Sequence, residues 1–372
     1  VLAETGFVET TVLLEDGLIA AADSAAGALR LDARKLLVLP GIVDIHGDAF
    51  ERQIQPRPGV AFPMDLALAE TERQLLANGI TTAFHGVTLS WEPGLRSLAT
   101  WRQILDGLAA RSWTCDMRVH LRWEAYNLDA LDTAIADIEA GRVQLLAFND
   151  HTPSILKKLG DDTAAAKYSD RAGMKLADFR ALAEGIAARA GEVPAAENRI
   201  AAAARAAGLP IASHDDDAIA TRDHFRGLGA GICEFPMAEA VGQAARAMGD
   251  AVVMGSPNVV RGGSHLGWAS AAVLAEAGIC SVLSSDYYYP CLPQAAFALA
   301  RRGTLTLAQA WALIAANPAA AGGLADRGTI APGKRADLVV VEDINGFPHV
   351  RATIAGGRLA WLDAACAARL GV

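Results

Sequence analysis

The residues of this chain that could do chemistry stand at the ends of short apolar runs. Leu39-Pro40-Gly41-Ile42-Val43-Asp44-Ile45-His46-Gly47-Asp48 closes on a histidine and a carboxylate two residues apart. In a strand, alternation places Asp44, His46 and Asp48 on one face. At the strand's C-terminal end, His46 and Asp48 can then grip one cation through a nitrogen and an oxygen. The pattern recurs down the chain, where later runs deliver Glu124, His151, His214 and Asp286. A lone strand-end histidine is more often a satisfied polar group than a ligand. Three histidines and three carboxylates spread over five runs are poorly explained by chance, and they match a two-metal hydrolytic centre. Glu124 is the natural bridge, because a carboxylate can give one oxygen to each ion.

A second set of residues is basic. Arg57 lies in Pro56-Arg57-Pro58-Gly59, Arg122 shares a strand face with His120 and Glu124, and Lys157 and Lys158 follow the fourth run. Val260-Arg261-Gly262-Gly263-Ser264-His265 offers an anion a close backbone approach at its glycines and donors from Arg, Ser and His. Each of these segments is otherwise read as a solvated loop. The net charge of -9 argues against nucleic-acid or anionic-membrane binding. Basic residues gathered locally on an acidic protein suit a small polyanionic substrate. His85 reads as polar support, His120 as core or support, and His349 as a surface residue. Tyr168, Tyr287, Tyr288 and Tyr289 read either as substrate contacts or as an aromatic wall.

These residues need a frame that brings strand ends together. Strands are expected over 43–48, 80–87, 117–124, 143–151, 210–214, 231–235, 251–256 and 279–286, separated by helical stretches such as 64–78 and 197–207. Alternation of strand and helix implies parallel pairing, and eight strands imply a closed (β/α)8 TIM-like barrel over 40–326. An open doubly wound sheet is the rival, but no Gly-rich nucleotide loop follows the first strand. Barrel enzymes place their active sites at the C-terminal ends of the strands, where the candidate residues fall. Residues 1–39 and 327–372 read as short antiparallel strands that are expected to pair into one small β-sandwich. A hydrophobic fraction of 52% over 372 residues is enough for a large core. No apolar run reaches membrane-span length, and the first residues read as a strand rather than a signal peptide. Cys115, Cys233, Cys280, Cys291 and Cys366 lack paired metal-site spacing and fit reduced thiols in the cytoplasm.

Read in order, several motifs resemble the amidohydrolase superfamily, and within it the PhnM-type phosphonate-metabolism diphosphatases. They are His46-Gly47-Asp48, Pro56-Arg57-Pro58-Gly59-Val60, Leu121-Arg122-Trp123-Glu124, Asp150-His151-Thr152-Pro153 and Ala212-Ser213-His214-Asp215-Asp216. Glu234-Phe235-Pro236, the segment from Gly255 to His265 and Ser284-Ser285-Asp286-Tyr287-Tyr288 complete the set. The resemblance implies hydrolysis of a ribose 1-alkylphosphonate 5-triphosphate to the 5-phosphate and pyrophosphate by metal-activated water. It implies two divalent ions (zinc, manganese or iron) on His46, Asp48, Glu124, His151, His214 and Asp286, with Mg²⁺ accompanying the substrate. Asp286 and Glu124 are then catalytic, while Arg57, Arg122, Arg261, Gly262, Gly263, Ser264 and His265 hold the triphosphate. Many superfamily members open with His-x-His and bridge with a carboxylated lysine; here Asp48 and Glu124 take those places. Gly47 is smaller than the Thr associated with this motif. The same centre could attack a cyclic amide or imine, which would leave the basic rim without a purpose. A non-catalytic scaffold would have shed its ligands, and these are present. Barrels of this kind often self-associate, but no residue identifies an interface.

Overall fold

The computed structural model describes residues 1–3, 6–21, 28–57, 59–263, 270–303 and 305–371. Ser264 and His265 of the expected anion loop therefore lie outside the described residues. Eight strands form one sheet: β1 (Ile42–Gly47), β2 (Ile80–Leu89), β3 (Asp116–Glu124), β4 (Leu145–Asn149), β5 (Ile211–His214), β6 (Ile232–Glu234), β7 (Ala251–Gly255) and β8 (Val282–Ser284). Each pairs in parallel with its neighbour in chain order. The sheet closes on itself just past β8. Asp286 N donates to His46 O at 3.0 Å, and Asp48 N donates to Asp286 O at 2.9 Å. The expected barrel is thus present, and its seam runs through three of the candidate site residues, His46, Asp48 and Asp286.

Local sequence explains the elements. The strands are runs of β-branched and aromatic residues that are buried along most of their length. The helix Leu98–Ala109 starts at Ser97, whose side chain accepts from Thr100 N at 3.3 Å. Its buried residues Trp101, Ile104 and Leu105 recur at helical spacing, so one stripe faces the barrel. The alanine-rich stretch expected as a helix over 197–207 lies in Val193–Ala206, with Ala207 as its C-cap. There Ala196, Ile200, Ala201 and Ala204 form the buried face, so small side chains let the helix lie close to the sheet.

Inside the barrel, Leu145, Ala147, Ala212, Ile232, Val253 and Val282 pack with Val43, Ile45, Phe84 and Ala319. Ala147, Ala212 and Ile232 each stand two residues before a polar strand end: Asn149, His214 and Glu234. The alternation of strands therefore puts a dry plug directly beneath a polar rim.

The two ends of the chain meet. Leu37–Pro40 joins Leu338–Ile344, Phe347–Ala355 and Arg358–Leu362 in a four-stranded antiparallel sheet. Short ribbons add Leu14–Glu15 on Leu18–Ile19 and Arg30–Leu31 on Leu370–Gly371. Ile19, Leu338, Val340, Ala352, Ile354 and Cys366 form their shared core. Arg327 fastens this region to the barrel, donating to Thr82 Oγ1 at 2.7 Å and Asp116 Oδ2 at 2.6 Å. All five cysteines are free and buried. Among the described residues, no helix is long and apolar enough to cross a membrane.

Candidate metal centre

The strand ends place two groups of potential ligands side by side. In the inner group, His46 Nδ1 lies 3.0 Å from Glu234 Oε1, and His120 Nε2 lies 3.7 Å from Glu234 Oε2. These three side chains come from β1, β3 and β6, and all are buried. In the outer group, His214 Nδ1 and His151 Nε2 approach Asp215 Oδ2 at 3.2 and 3.7 Å. Glu124 joins that group from β3. Its Oε1 lies 2.5 Å from His151 Nδ1, and its Oε2 accepts from His151 N at 3.1 Å. The groups are contiguous, since the His46 and His214 rings are 5.2 Å apart.

A repeated backbone device builds the rim. Asp215, Phe235 and Asp286 follow the ends of β5, β6 and β8, and their φ values are +59°, +52° and +55°. Left-handed backbone is unusual outside glycine and is kept only where the surroundings enforce it. Here the ladder enforces it: Asp215 N donates to Glu234 O, Phe235 N to Val253 O and Asp286 N to His46 O. Each residue keeps its bond to the next strand while the chain turns.

On β1, simple alternation does not hold. The register against β2 slips between Asp44 and Gly47. Asp44 consequently does not share the face of His46, contrary to the alternation argument. Its carboxylate fills the space over Gly47, where an added Cβ would lie 2.6 Å from Asp44 Oδ2 and 2.8 Å from Ser285 Oγ. That crowding accounts for glycine at this position.

Electrostatics separate the carboxylates. Burial and the neighbouring Asp48 charge push Asp286 up to about 7. Burial also raises Glu234 above the ordinary carboxylate range. Burial works against a charged His151, but the Glu124 charge and hydrogen bonds to Asp215 and Glu124 outweigh it and lift the ring to about 9.

The basic residues divide. Arg122 is buried and turns its guanidinium to the ligands, with Nη2 3.2 Å from His214 Nε2 and Nη1 3.6 Å from Asp48 Oδ2. It braces the centre rather than projecting from the rim. Arg57 is exposed. Arg261 is also exposed, ending the helix Ser256–Arg261, and it donates to the hydroxyl of Tyr287, the residue after Asp286. Gly262 caps that helix at φ +83°, a conformation that favours glycine, and Gly263 N bonds back to Asn258 O. Lys157 and Lys158 are exposed in the last turn of Thr152–Lys158, and Lys158 donates to the Tyr168 hydroxyl. His85, expected to give polar support, is buried against Phe50, and neither ring nitrogen has a hydrogen-bond partner among the described residues. His349 sits on the terminal sheet.

The donor set suits divalent cations. His46 Nδ1, His120 Nε2, His214 Nδ1 and both Glu234 oxygens are buried with no hydrogen-bond partner among the described residues. Native structures rarely leave such atoms unpaired, and imidazole with carboxylate is a donor set for borderline dications. Sequence reasoning did not select Asp215, Glu234 or His120 as ligands. Asp215 directly follows His214 and Glu234 ends a strand, but neither signal singles out a ligand without the neighbours across the barrel.

Known proteins resemble this chain in sequence and in fold. A family model described as "Amidohydrolase family" matches residues 298–360. The alpha-D-ribose 1-methylphosphonate 5-triphosphate diphosphatase of Escherichia coli (strain K12) is 33% identical over 323 residues, covering 84% of this chain and 85% of that protein. Among solved structures, an amidohydrolase from a Sargasso Sea environmental sample superposes with a TM-score of 0.62 at 17% identity, over 94% of this chain and 86% of that one. A 5-methylcytosine deaminase from Klebsiella pneumoniae gives 0.59 at 15% identity, over 95% and 94%. At such identities the solved structures speak for the fold alone.

Proposed function

The chain belongs to the PhnM-type family of the amidohydrolase superfamily and is a metal-dependent hydrolase, and from that premise we propose that it releases pyrophosphate from a ribose 1-alkylphosphonate 5-triphosphate. The observation that carries the reading is the 33% identity, over 84% of the chain, to a diphosphatase named for the 1-methylphosphonate compound. The strand-end histidines and carboxylates support it, as do the exposed Arg57 and Arg261.

His46, Asp48, Glu124, His151, His214 and Asp286 are the residues we assign to the metal centre, with Asp215 added. Bound dications, whether zinc, manganese or iron, supply an acidified water and neutralise charge on phosphoryl oxygens. Asp286, which follows β8 and is bonded through its backbone to His46 and Asp48, takes the proton. Glu124 and Asp215 orient His151 and His214, and Arg122 fixes Asp48 against His214. Arg261 with the Gly262–Gly263 turn, and Arg57, hold the polyphosphate, which brings its own Mg²⁺, because planar guanidinium groups pair with phosphate oxygens through two bonds. We further propose that residues 1–39 and 327–372 act as one unit bracing the 40–326 barrel, and that the enzyme works in the cytoplasm.

The test is product analysis with ribose 1-methylphosphonate 5-triphosphate, nucleoside triphosphates and a panel of cyclic amides. Pyrophosphate from the phosphonate compound is expected. No release from any triphosphate, together with ammonia release or ring opening of an amide, would transfer the protein to carbon–nitrogen hydrolysis.

A further inference from the structure

We infer that Arg222, on the outer side of the barrel, is a positioning residue for the His214–Asp215 turn and acts on it through Ser213 and Asp216. The side chain comes from the helix Ile219–Gly227, where Arg222 and Phe225 form the buried face. Strand alternation explains how it reaches the turn from behind. On β5, Ala212 packs inside the barrel and Ile211 against the surrounding helices, so His214 faces inward and Ser213 outward. The two residues share one peptide bond. Whatever fixes the serine on the outside therefore aims the histidine on the inside.

The contacts form a chain. Arg222 Nη1 donates to Ser213 Oγ at 2.5 Å, and the same hydroxyl donates to Asp216 Oδ2 at 2.6 Å. A guanidinium can only donate, so the serine accepts from it and keeps its one proton for Asp216. The buried Asp216 carboxylate also lies 3.5 Å from Arg222 Nη1. Asp216 directly follows Asp215, whose φ of +59° persists only under constraint. Two backbone bonds hold this turn, Asp215 N to Glu234 O and Met237 N to Asp216 O. The Asp216 side chain supplies a third fixed point, and Asp215 Oδ2 then lies 3.2 Å from His214 Nδ1.

The remaining donors of Arg222 anchor it. Nη1 also donates to Ile232 O at 3.3 Å, Nη2 to Ala230 O, and Nε to Asp250 Oδ2 at 3.2 Å. These acceptors lie on or just ahead of β6 and β7. Arg226 shares Asp250 at 2.8 Å, so two guanidinium groups balance the buried carboxylates of Asp216 and Asp250. A buried ionic set of this kind gains little stability over an apolar one of the same volume. What it adds is direction, because a planar fork with five donors holds its acceptors in one geometry. A lysine, with three donors and no plane, does not reproduce it.

The inference rests on reading the rim as a metal-dependent hydrolase, and its test has one readout that needs no substrate. Full-length wild type, Ser213→Ala and Arg222→Lys are loaded with Co²⁺, whose visible absorption reports ligand geometry. Ser213→Ala breaks the chain but leaves Arg222 on Asp250, and Arg222→Lys keeps the charge but not the fork. Both are expected to shift the cobalt bands. Both are also expected to lower kcat for pyrophosphate release by about ten- to a hundredfold, with KM within about twofold of wild type. An unchanged cobalt spectrum in folded Ser213→Ala overturns the positioning role, because a residue that only stabilised the fold would leave the spectrum alone. Should Arg222→Lys fail to fold, Ser213→Ala decides by itself. Failure of the diphosphatase reading shows separately. Wild type that releases no pyrophosphate sinks that reading, while a shifted spectrum in Ser213→Ala still upholds the dependence of the turn on this chain of contacts.

Discussion

Ser285 clamps Asp44 across the barrel seam: its Oγ donates to Asp44 Oδ2 at 2.5 Å and its backbone N to Oδ1 at 3.0 Å. The same Oδ1 accepts from His46 N at 3.3 Å. One buried carboxylate thus fixes the backbone leading into His46 and the residue before Asp286. Neither Asp44 nor Ser285 is among the assigned ligands, but the positions of two assigned ligands depend on their bond. Burial holds Asp44 up at about 6, so the group is ionised in a mildly alkaline buffer.

Ser285→Ala should therefore destabilise the protein at pH 8 by about 1.5–3 kcal/mol, the worth of a hydrogen bond to a charged group. Urea unfolding of the metal-loaded protein measures this. Turnover should fall as well, because Asp286 loses its fixed approach. An unchanged midpoint and unchanged turnover would show that the clamp does nothing.

Asp286→Asn should keep the fold and most of its bound metal while losing turnover by about a hundredfold or more, the contribution of a general base. Single-turnover kinetics on metal-quantified samples make the comparison. Wild-type turnover in such a sample would remove Asp286 from proton transfer.

Glu124→Gln should lower the metal content, because Glu124 pairs with His151 in the outer group and an amide cannot serve two cations as a carboxylate does. Elemental analysis of folded protein purified without chelator makes the comparison. Wild-type metal content together with full activity would remove Glu124 from the centre.

Arg261→Ala should lower kcat/KM for triphosphorylated ribose compounds by about ten- to a hundredfold, matching the loss of one charged contact of about 1.5–3 kcal/mol. Arg261 is exposed, so stability should be unaffected. Equal loss on a neutral cyclic amide would count against a phosphate-binding role.

Arg327→Met should loosen the terminal sheet from the barrel by about 1.5–3 kcal/mol at neutral pH. Burial alone would raise the pKa of Asp116, but bonds and charge from Arg118 and Arg327 hold it below its ordinary 3.8. A depressed carboxylate contributes stability above its unfolded pKa and loses it as pH falls through the folded value. The gap between wild type and variant should therefore narrow below about pH 4. Thermal unfolding across pH 2.5–7, taken roughly at half-unit steps, records it; a gap that widens in acid would reverse the assignment.

The sequence by itself determined the barrel and the faces of its regular strands. Eight apolar runs separated by helical stretches leave few alternatives, and period-two alternation fixes the faces of regular strands such as β3, where His120, Arg122 and Glu124 point inward together. What it could not decide depends on residues distant in the chain meeting across the barrel. The slip in β1 moved Asp44 off the face of His46, and no local pattern signals a register break. The face of Arg122 was legible but its depth was not: the structure buries it, with its guanidinium beside Asp48 and His214. Glu234 is an ordinary strand-end carboxylate until His46 and His120 close around it. Strand identity follows from short-range periodicity, whereas the pairing of buried polar atoms follows from closure of the barrel. Closure is a property of the whole chain, and it decides which carboxylates are left needing a cation.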